Sequence, residues 1–336
     1  VKAVVALAFT LLMLLSAGCS SDDAANDKQW VEDDVSFEAD GLTIHGTYRH
    51  HKGAAAGPAA LLISESGNTD RNGDNIVIGK IGNMRQLAEL LSDRPDGKGE
   101  ASLRYDKIGT GKTGLGPYQK RPNDVVSSVY TAGAKAAVRF LVEQPGTDKN
   151  RLSVYAVGEG TVHAMTLAAD TSPGAPKIHS LGLLQPLSGR YLDIITNRVR
   201  SDASPETLKT WLAAVDEVRA KGTVSGKLPE GLGAILNPGN VTAIKEADKI
   251  DPVALAAKLP AGTPVLLTCS DTDRQALCTT MRPLIDALRH TALTVVELKG
   301  VNHVLRDDPT DSFANLAKNA PLSPQLVTAL DGFVGK

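Results

Sequence analysis

Three short stretches of this chain carry the residue types of a proton-relay site. His303 lies in Gly300-Val-Asn302-His303, just past the apolar run Leu293 to Leu298. Asp271 and Asp273 follow a second apolar run, Pro264 to Cys269. An imidazole in such a loop can take a proton from a nucleophile and return it to a leaving group. A carboxylate beside it fixes the tautomer and stabilises the imidazolium form. The third stretch is Leu152-Ser-Val-Tyr-Ala-Val-Gly158-Glu159-Gly160-Thr161, where a strand pattern meets a helix pattern. Set against Gly-x-Ser-x-Gly, the sharp turn that projects a serine hydroxyl, the serine falls on Gly158 and the first glycine on Ala156. Moving the register by two residues puts glycine at the third position again. Glycine has nothing to attack with. Thr161 is a nearby hydroxyl, but three residues on it does not share the turn's direction, and nucleophile and base must reach hydrogen-bond distance. Water activated by His303 and an aspartate is the other route, since a glycine leaves room for it.

These residues need a scaffold that brings strand ends together. Val35 to Tyr48 reads as two strands joined at Asp40-Gly41, a strong hairpin signal. Strands then alternate with helices. The strand runs are Ala59–Ser64, Ala101–Asp106, Leu152–Val157, Ile178–Leu184, Pro264–Cys269 and Leu293–Leu298. Helical spacing covers Ile76 to Leu91, Asp124 to Glu143, Thr161 to Ala169, Arg274 to His290 and Ser323 to Phe333. Such alternation predicts an α/β fold, a mostly parallel sheet flanked by helices. From Arg190 to about Lys258 the alternation stops and the pattern is helical, with Ser204-Pro205 opening one helix. That segment is expected to be an inserted cap.

Several stretches, in order, resemble the bacterial α/β-hydrolase esterases. Ser64-Glu65-Ser66-Gly67-Asn-Thr-Asp70-Arg71-Asn-Gly73 is similar to their Ser-Gly-Ser-Gly-x-x-Asp-Arg-Asp-Gly loop, and Arg104-Tyr-Asp106-Lys107-Ile-Gly109-Thr-Gly111 to their Arg-Tyr-Asp-x-Arg-Gly-x-Gly. Asp251 to Pro260, Gly300 to His303 and Pro321 to Val327 resemble the lead out of the cap, the histidine loop and the start of the last helix. The resemblance implies an α/β-hydrolase fold with His303 as base and Asp273, rather than Asp271, as its acid. Asp273 could equally cap the next helix. An oxyanion hole would use backbone N–H groups of Glu159 and Ser66. Here the chain departs a second time: Glu65 replaces a glycine used for close backbone approach. A carboxylate there opposes developing negative charge unless it points away.

The beginning of the sequence reads as a targeting segment. Lys2 precedes the apolar run Ala3 to Leu15, too short for a confident membrane span, and Ser16-Ala17-Gly18-Cys19 resembles a lipobox. Lipidation at Cys19 would anchor the protein on the extracytoplasmic face of the cell membrane. The expected layout is a signal peptide at 1–18, a lipidated tether at 19–30, a core at 31–189 and 259–336, and a helical cap at 190–258. Outside the cytoplasm Cys269 and Cys278 could pair.

A 42% hydrophobic, 22% charged composition is that of a chain with a real core. A formal net charge of −2 gives no electrostatic case for nucleic acid. No cofactor or metal is expected: His50-His51 lacks companion ligands. Gly109-Thr-Gly-Lys-Thr113 lacks the register of a phosphate loop, and His163 reads as packed or solvated. Two functions remain. One is a carboxylic-ester hydrolase with an atypical nucleophile. The other is an inactive hydrolase homologue that binds an apolar ligand or protein partner at the envelope. The small-molecule partner expected is a small acyl or ester ligand.

Overall fold

The computed structural model describes residues 30–336, apart from positions 54, 77, 95, 96, 230 and 319. The signal run, Cys19 and the tether up to residue 29 lie outside the described residues. Among the described residues no helix is long and apolar enough to cross a membrane.

Eight strands form one sheet: β1 (Trp30–Ala39), β2 (Leu42–His51), β3 (Gly57–Ile63), β4 (Ala101–Tyr105), β5 (Thr147–Val157), β6 (Ser180–Leu184), β7 (Pro264–Ser270) and β8 (Ala292–Leu298). Their order is β1-β2-β4-β3-β5-β6-β7-β8. β1 and β2 form the antiparallel hairpin read from Asp40-Gly41, and β2 is antiparallel to β4. From β4 to β8 every pairing is parallel. The carboxyl ends of β3, β5, β7 and β8 therefore lie along one edge. Open α/β sheets bind ligands at that edge.

The helices are α1 (Asn83–Ser92), α2 (Ser127–Val142), α3 (Gly160–Ala168), α4 (Tyr191–Asp202), α5 (Pro205–Lys221), α6 (Leu232–Ile235), α7 (Val241–Asp248), α8 (Pro252–Ala256), α9 (Arg282–Ala287), α10 (Phe313–Leu316) and α11 (Pro324–Asp331). Because successive strand residues face opposite ways, the central strands are apolar on both sides. Leu61, Leu103, Val154, Leu183 and Leu267 pack on one face with Ala137 and Leu141 of α2 and Met165 of α3. Leu62, Tyr155, Leu184 and Leu266 pack on the other with Leu87 of α1 and Leu326 of α11.

The cap has its own core around Trp211, with Leu192, Val215, Val218 and Leu236. Asp248 closes it: its buried carboxylate accepts from Arg190, from Arg219 and from the Leu192 N–H.

Two helices differ from the sequence reading. The expected helix from Ile76 begins only at Asn83. Gly79 and Gly82 adopt φ of +117° and +70°, and Asp74 Oδ1 accepts from the N–H groups of Ile81 and Gly82, so this segment folds as a loop. The helix expected over Arg274 to His290 is reduced to a single turn at Cys278–Thr280 and the six residues of α9. A disulfide joins Cys269 to Cys278 and ties that segment back to the end of β7, and Pro283 opens α9.

Candidate functional site

Four loops at the carboxyl edge bring the sequence candidates together. β3 runs into Ser64-Glu65-Ser66, β5 into Gly158, β7 into the loop of Asp273, and β8 into the loop of His303. The first loop is fastened by Arg71, whose guanidinium makes paired bonds to Asp106 after β4 and donates to the Gly46 carbonyl. The third is held by the Cys269–Cys278 disulfide and by Ala276 N–H donating to the Asp273 carbonyl.

His303 Nδ1 is 2.7 Å from Asp273 Oδ2. Asp273 is fully buried, and its other oxygen accepts from Gln275 N–H. Asp271 faces elsewhere and accepts from Gly300 N–H at 2.7 Å. Of the two aspartates, Asp273 is the one the fold turns onto the histidine.

The other face of the imidazole meets a group that sequence reasoning did not place there. His303 Nε2 is 2.7 Å from Glu65 Oε2. Glu65 does not point away; its carboxylate lies in the volume a serine would fill at the elbow. A Cβ built on Gly158 would stand 1.5 Å from Glu65 Oε2, inside bonding distance. Gly158 also has φ +52°, the left-handed region that favours glycine. The second oxygen, Oε1, accepts from the Ser66 N–H at 2.6 Å. That N–H is the donor expected for the oxyanion hole. One carboxylate thus lies both where the sequence reading expected a nucleophile and on the N–H it expected to serve an oxyanion hole.

Electrostatics reinforces the arrangement. Burial would raise the Glu65 pKa, but the His303 charge and the Ser66 donors outweigh it and bring it down to about 2. Burial would likewise lower the His303 pKa; Asp273 and Glu65 together raise it well above its ordinary value. Both directions favour a carboxylate at Glu65 facing an imidazolium at His303. Beside them Lys107 is buried, its ammonium donating to the Glu65 carbonyl and lying 5.4 Å from the Tyr130 ring centre. Burial lowers the Lys107 pKa to about 8, with Glu159 and Glu65 opposing the drop. The Glu159 carboxyl is raised by burial, which Lys107 only partly offsets.

Thr161 is no substitute nucleophile. Its hydroxyl is fully buried and donates to the Gly158 carbonyl at 2.6 Å. His163 is buried in the core, its Nδ1 2.9 Å from Thr131 Oγ1, and burial lowers its pKa to about 3. Among the described residues no cluster of His, Cys, Asp and Glu could hold a metal ion.

No protein-family model and no curated protein sequence matches the chain. Solved structures do. The Pyrococcus furiosus esterase Pf2001 superposes with TM-score 0.56 at 16% identity, over 91% of this chain and 92% of that one. DcsB in complex with its substrate analogue gives TM-score 0.58 at 15% identity, over 90% and 98%. Est1E from Butyrivibrio proteoclasticus gives 0.53 at 16%, over 89% and 96%. The chain has the α/β-hydrolase fold. At these identities the likeness concerns the fold alone, which does not carry an activity with it.

Gly158 and Glu65, read in the sequence as two separate departures from the esterase pattern it resembles, meet at one place in space. Each alone reads as a defect. β3 lies beside β5, which brings the two loops together, and the sequence reading had not ordered the strands.

Proposed function

We propose that this chain is an exported, lipid-anchored protein of the α/β-hydrolase fold that binds a small acyl-type ligand and does not hydrolyse it. The observation that carries this reading is the Glu65 carboxylate lying on both the Ser66 N–H and His303. Serine-type acyl transfer needs a neutral imidazole to accept a proton and a donor site ready for an oxyanion. Here the imidazole already holds its proton and the donor already holds an anion. Water activation by His303 fails for the same reason: an imidazolium has no lone pair to offer.

Export and anchoring rest on the apolar run before Cys19 and on the polar tether after it. The Cys269–Cys278 disulfide fits an oxidising compartment outside the cytoplasm. Attachment is tested by radiolabelled palmitate: label and membrane fractionation should both be lost on Cys19→Ala.

The hydrolytic question is tested with p-nitrophenyl acetate, butyrate and octanoate. Turnover by the native protein should equal that of His303→Ala. Turnover that His303→Ala abolishes would overturn the reading.

A further inference from the structure

The Glu65 carboxylate sits as a bound ligand would. One oxygen takes a backbone N–H, the other takes the imidazolium, and the imidazolium is held from behind by Asp273. We propose that this space is a carboxylate-binding site, and that Glu65 is its tethered occupant, displaced when a small monocarboxylate binds. The inference rests on the binding role above.

Three observations support it. The first is shape. Gly158 leaves open the volume that the carboxylate fills, and any side chain there would collide with it. The second is charge. Without Glu65 the pocket would keep the buried Lys107 amine and the two donors that held the carboxylate, the Ser66 N–H and the His303 ring, whose protonation an incoming anion would favour, with Glu159 held toward its neutral form by burial. The vacated site would favour an anion. The third is release. The Glu65 side chain is 19% exposed while its partners His303 and Asp273 are 6% and 0% exposed, so it is the member of the triad with access to solvent. A narrow cleft lined by Val162, Leu187, Tyr191, Ile250 and Pro252 reaches Glu159, next to Gly158.

The binding step involves no covalent chemistry. The ligand's carboxylate replaces Glu65 on the same two donors, and the Glu65 carboxylate rotates to water, so the pocket's charge is unchanged. A tethered carboxylate competes at an effective concentration of order millimolar or more. Native protein should therefore bind free carboxylates far more weakly than a variant lacking the tether.

The experiment uses the full chain with Glu65→Ala, sodium acetate and propionate as probes, and NMR of the His303 ring as readout. Removing Glu65 should shift the imidazole toward its neutral form, and acetate should restore the imidazolium signal saturably. The native protein should need more acetate than the variant to reach the same response, because the tethered carboxylate competes for the same donors. Sodium chloride at equal ionic strength should do nothing. A folded Glu65→Ala protein whose His303 signals ignore 100 mM acetate, or respond equally to chloride, would overturn the proposal. Should this variant unfold in chloride buffer, refolding in acetate would support the site, and failure to refold in acetate would overturn it. The two readings fail separately: ester turnover by native protein strikes the non-hydrolytic role, whereas absent acetate binding strikes the carboxylate site.

Discussion

Placing a serine at position 158 should damage this protein unless Glu65 is removed at the same time. The new Cβ would lie 1.5 Å from Glu65 Oε2 and 2.4 Å from its Cδ, so the carboxylate must leave His303. Breaking a buried ion pair costs roughly 3–5 kcal/mol, and the lower end applies because Glu65 can reach solvent. Holding a residue other than glycine at the left-handed φ of 158 adds roughly 1–2 kcal/mol. Gly158→Ser alone should thus destabilise by about 4–5 kcal/mol. With an unfolding entropy near 2.1 cal/mol/K per residue over about 300 residues, Tm falls by roughly 7 °C. Glu65→Gly with Gly158→Ser has no collision, so the cycle should show a coupling of about 2 kcal/mol or more, where independent sites agree within about 0.5. The double variant should also hydrolyse p-nitrophenyl acetate. Its Ser66 donor is released, and His303 keeps one carboxylate partner instead of two. Loss of an elbow serine costs about a millionfold in a dissected protease, so a gain of at least about a hundredfold over either single variant is expected. Additive stabilities, or a folded double variant as silent as its parents, would refute the argument.

Three further outcomes follow from the packing. Glu100 is buried with Oε2 unpartnered, and burial raises its pKa from 4.5 to about 7 against the opposing pull of Arg94 and Arg151. Below pH 4.5 folded and unfolded chains both hold the proton; stability falls as pH rises toward 7 and the loss is complete above it. Glu100→Gln should remove that slope and stabilise the protein at pH 8 by up to about 3 kcal/mol, read from Tm against pH. Opening the Cys269–Cys278 disulfide by Cys278→Ser should cost about 2–3 kcal/mol for so short a loop. Hydrogen exchange should then rise first around Asp273. Asp248→Ala should loosen the cap, leaving Arg190 and Arg219 without their shared carboxylate, at a cost of roughly 3–5 kcal/mol. Limited proteolysis should cut first between α4 and α7, with the sheet intact.

Much of the scaffold was legible because apolar periodicity records it directly. The hairpin at Asp40-Gly41, the buried runs of β3, β5, β6 and β7 and the helical insertion all follow from that pattern. Boundaries failed where local polar bonds override periodicity, as at Asp74 before α1. The helix expected after Asp273 is cut short where a disulfide ties Cys278 back to β7, a link whose formation depends on a Cα separation, here 5.0 Å, that no spacing reveals. His303 and Asp273 were singled out from motif and chain order, and the fold brings their side chains within 2.7 Å. Glu65 was noticed only as an obstacle. Its direction depends on a side-chain torsion and on a void at Gly158, and both belong to two loops 93 residues apart in sequence.

The central claim is that Glu65 takes the nucleophile's place and keeps His303 charged. It is tested most directly by a pH titration of the His303 imidazole by 15N NMR, in native protein and in Glu65→Gln. The account predicts an imidazolium in the native protein at pH 7 and above, with Glu65→Gln lowering its pKa because one of two carboxylate partners is gone. A His303 that is neutral at pH 7, or one whose titration ignores Glu65→Gln, would contradict it.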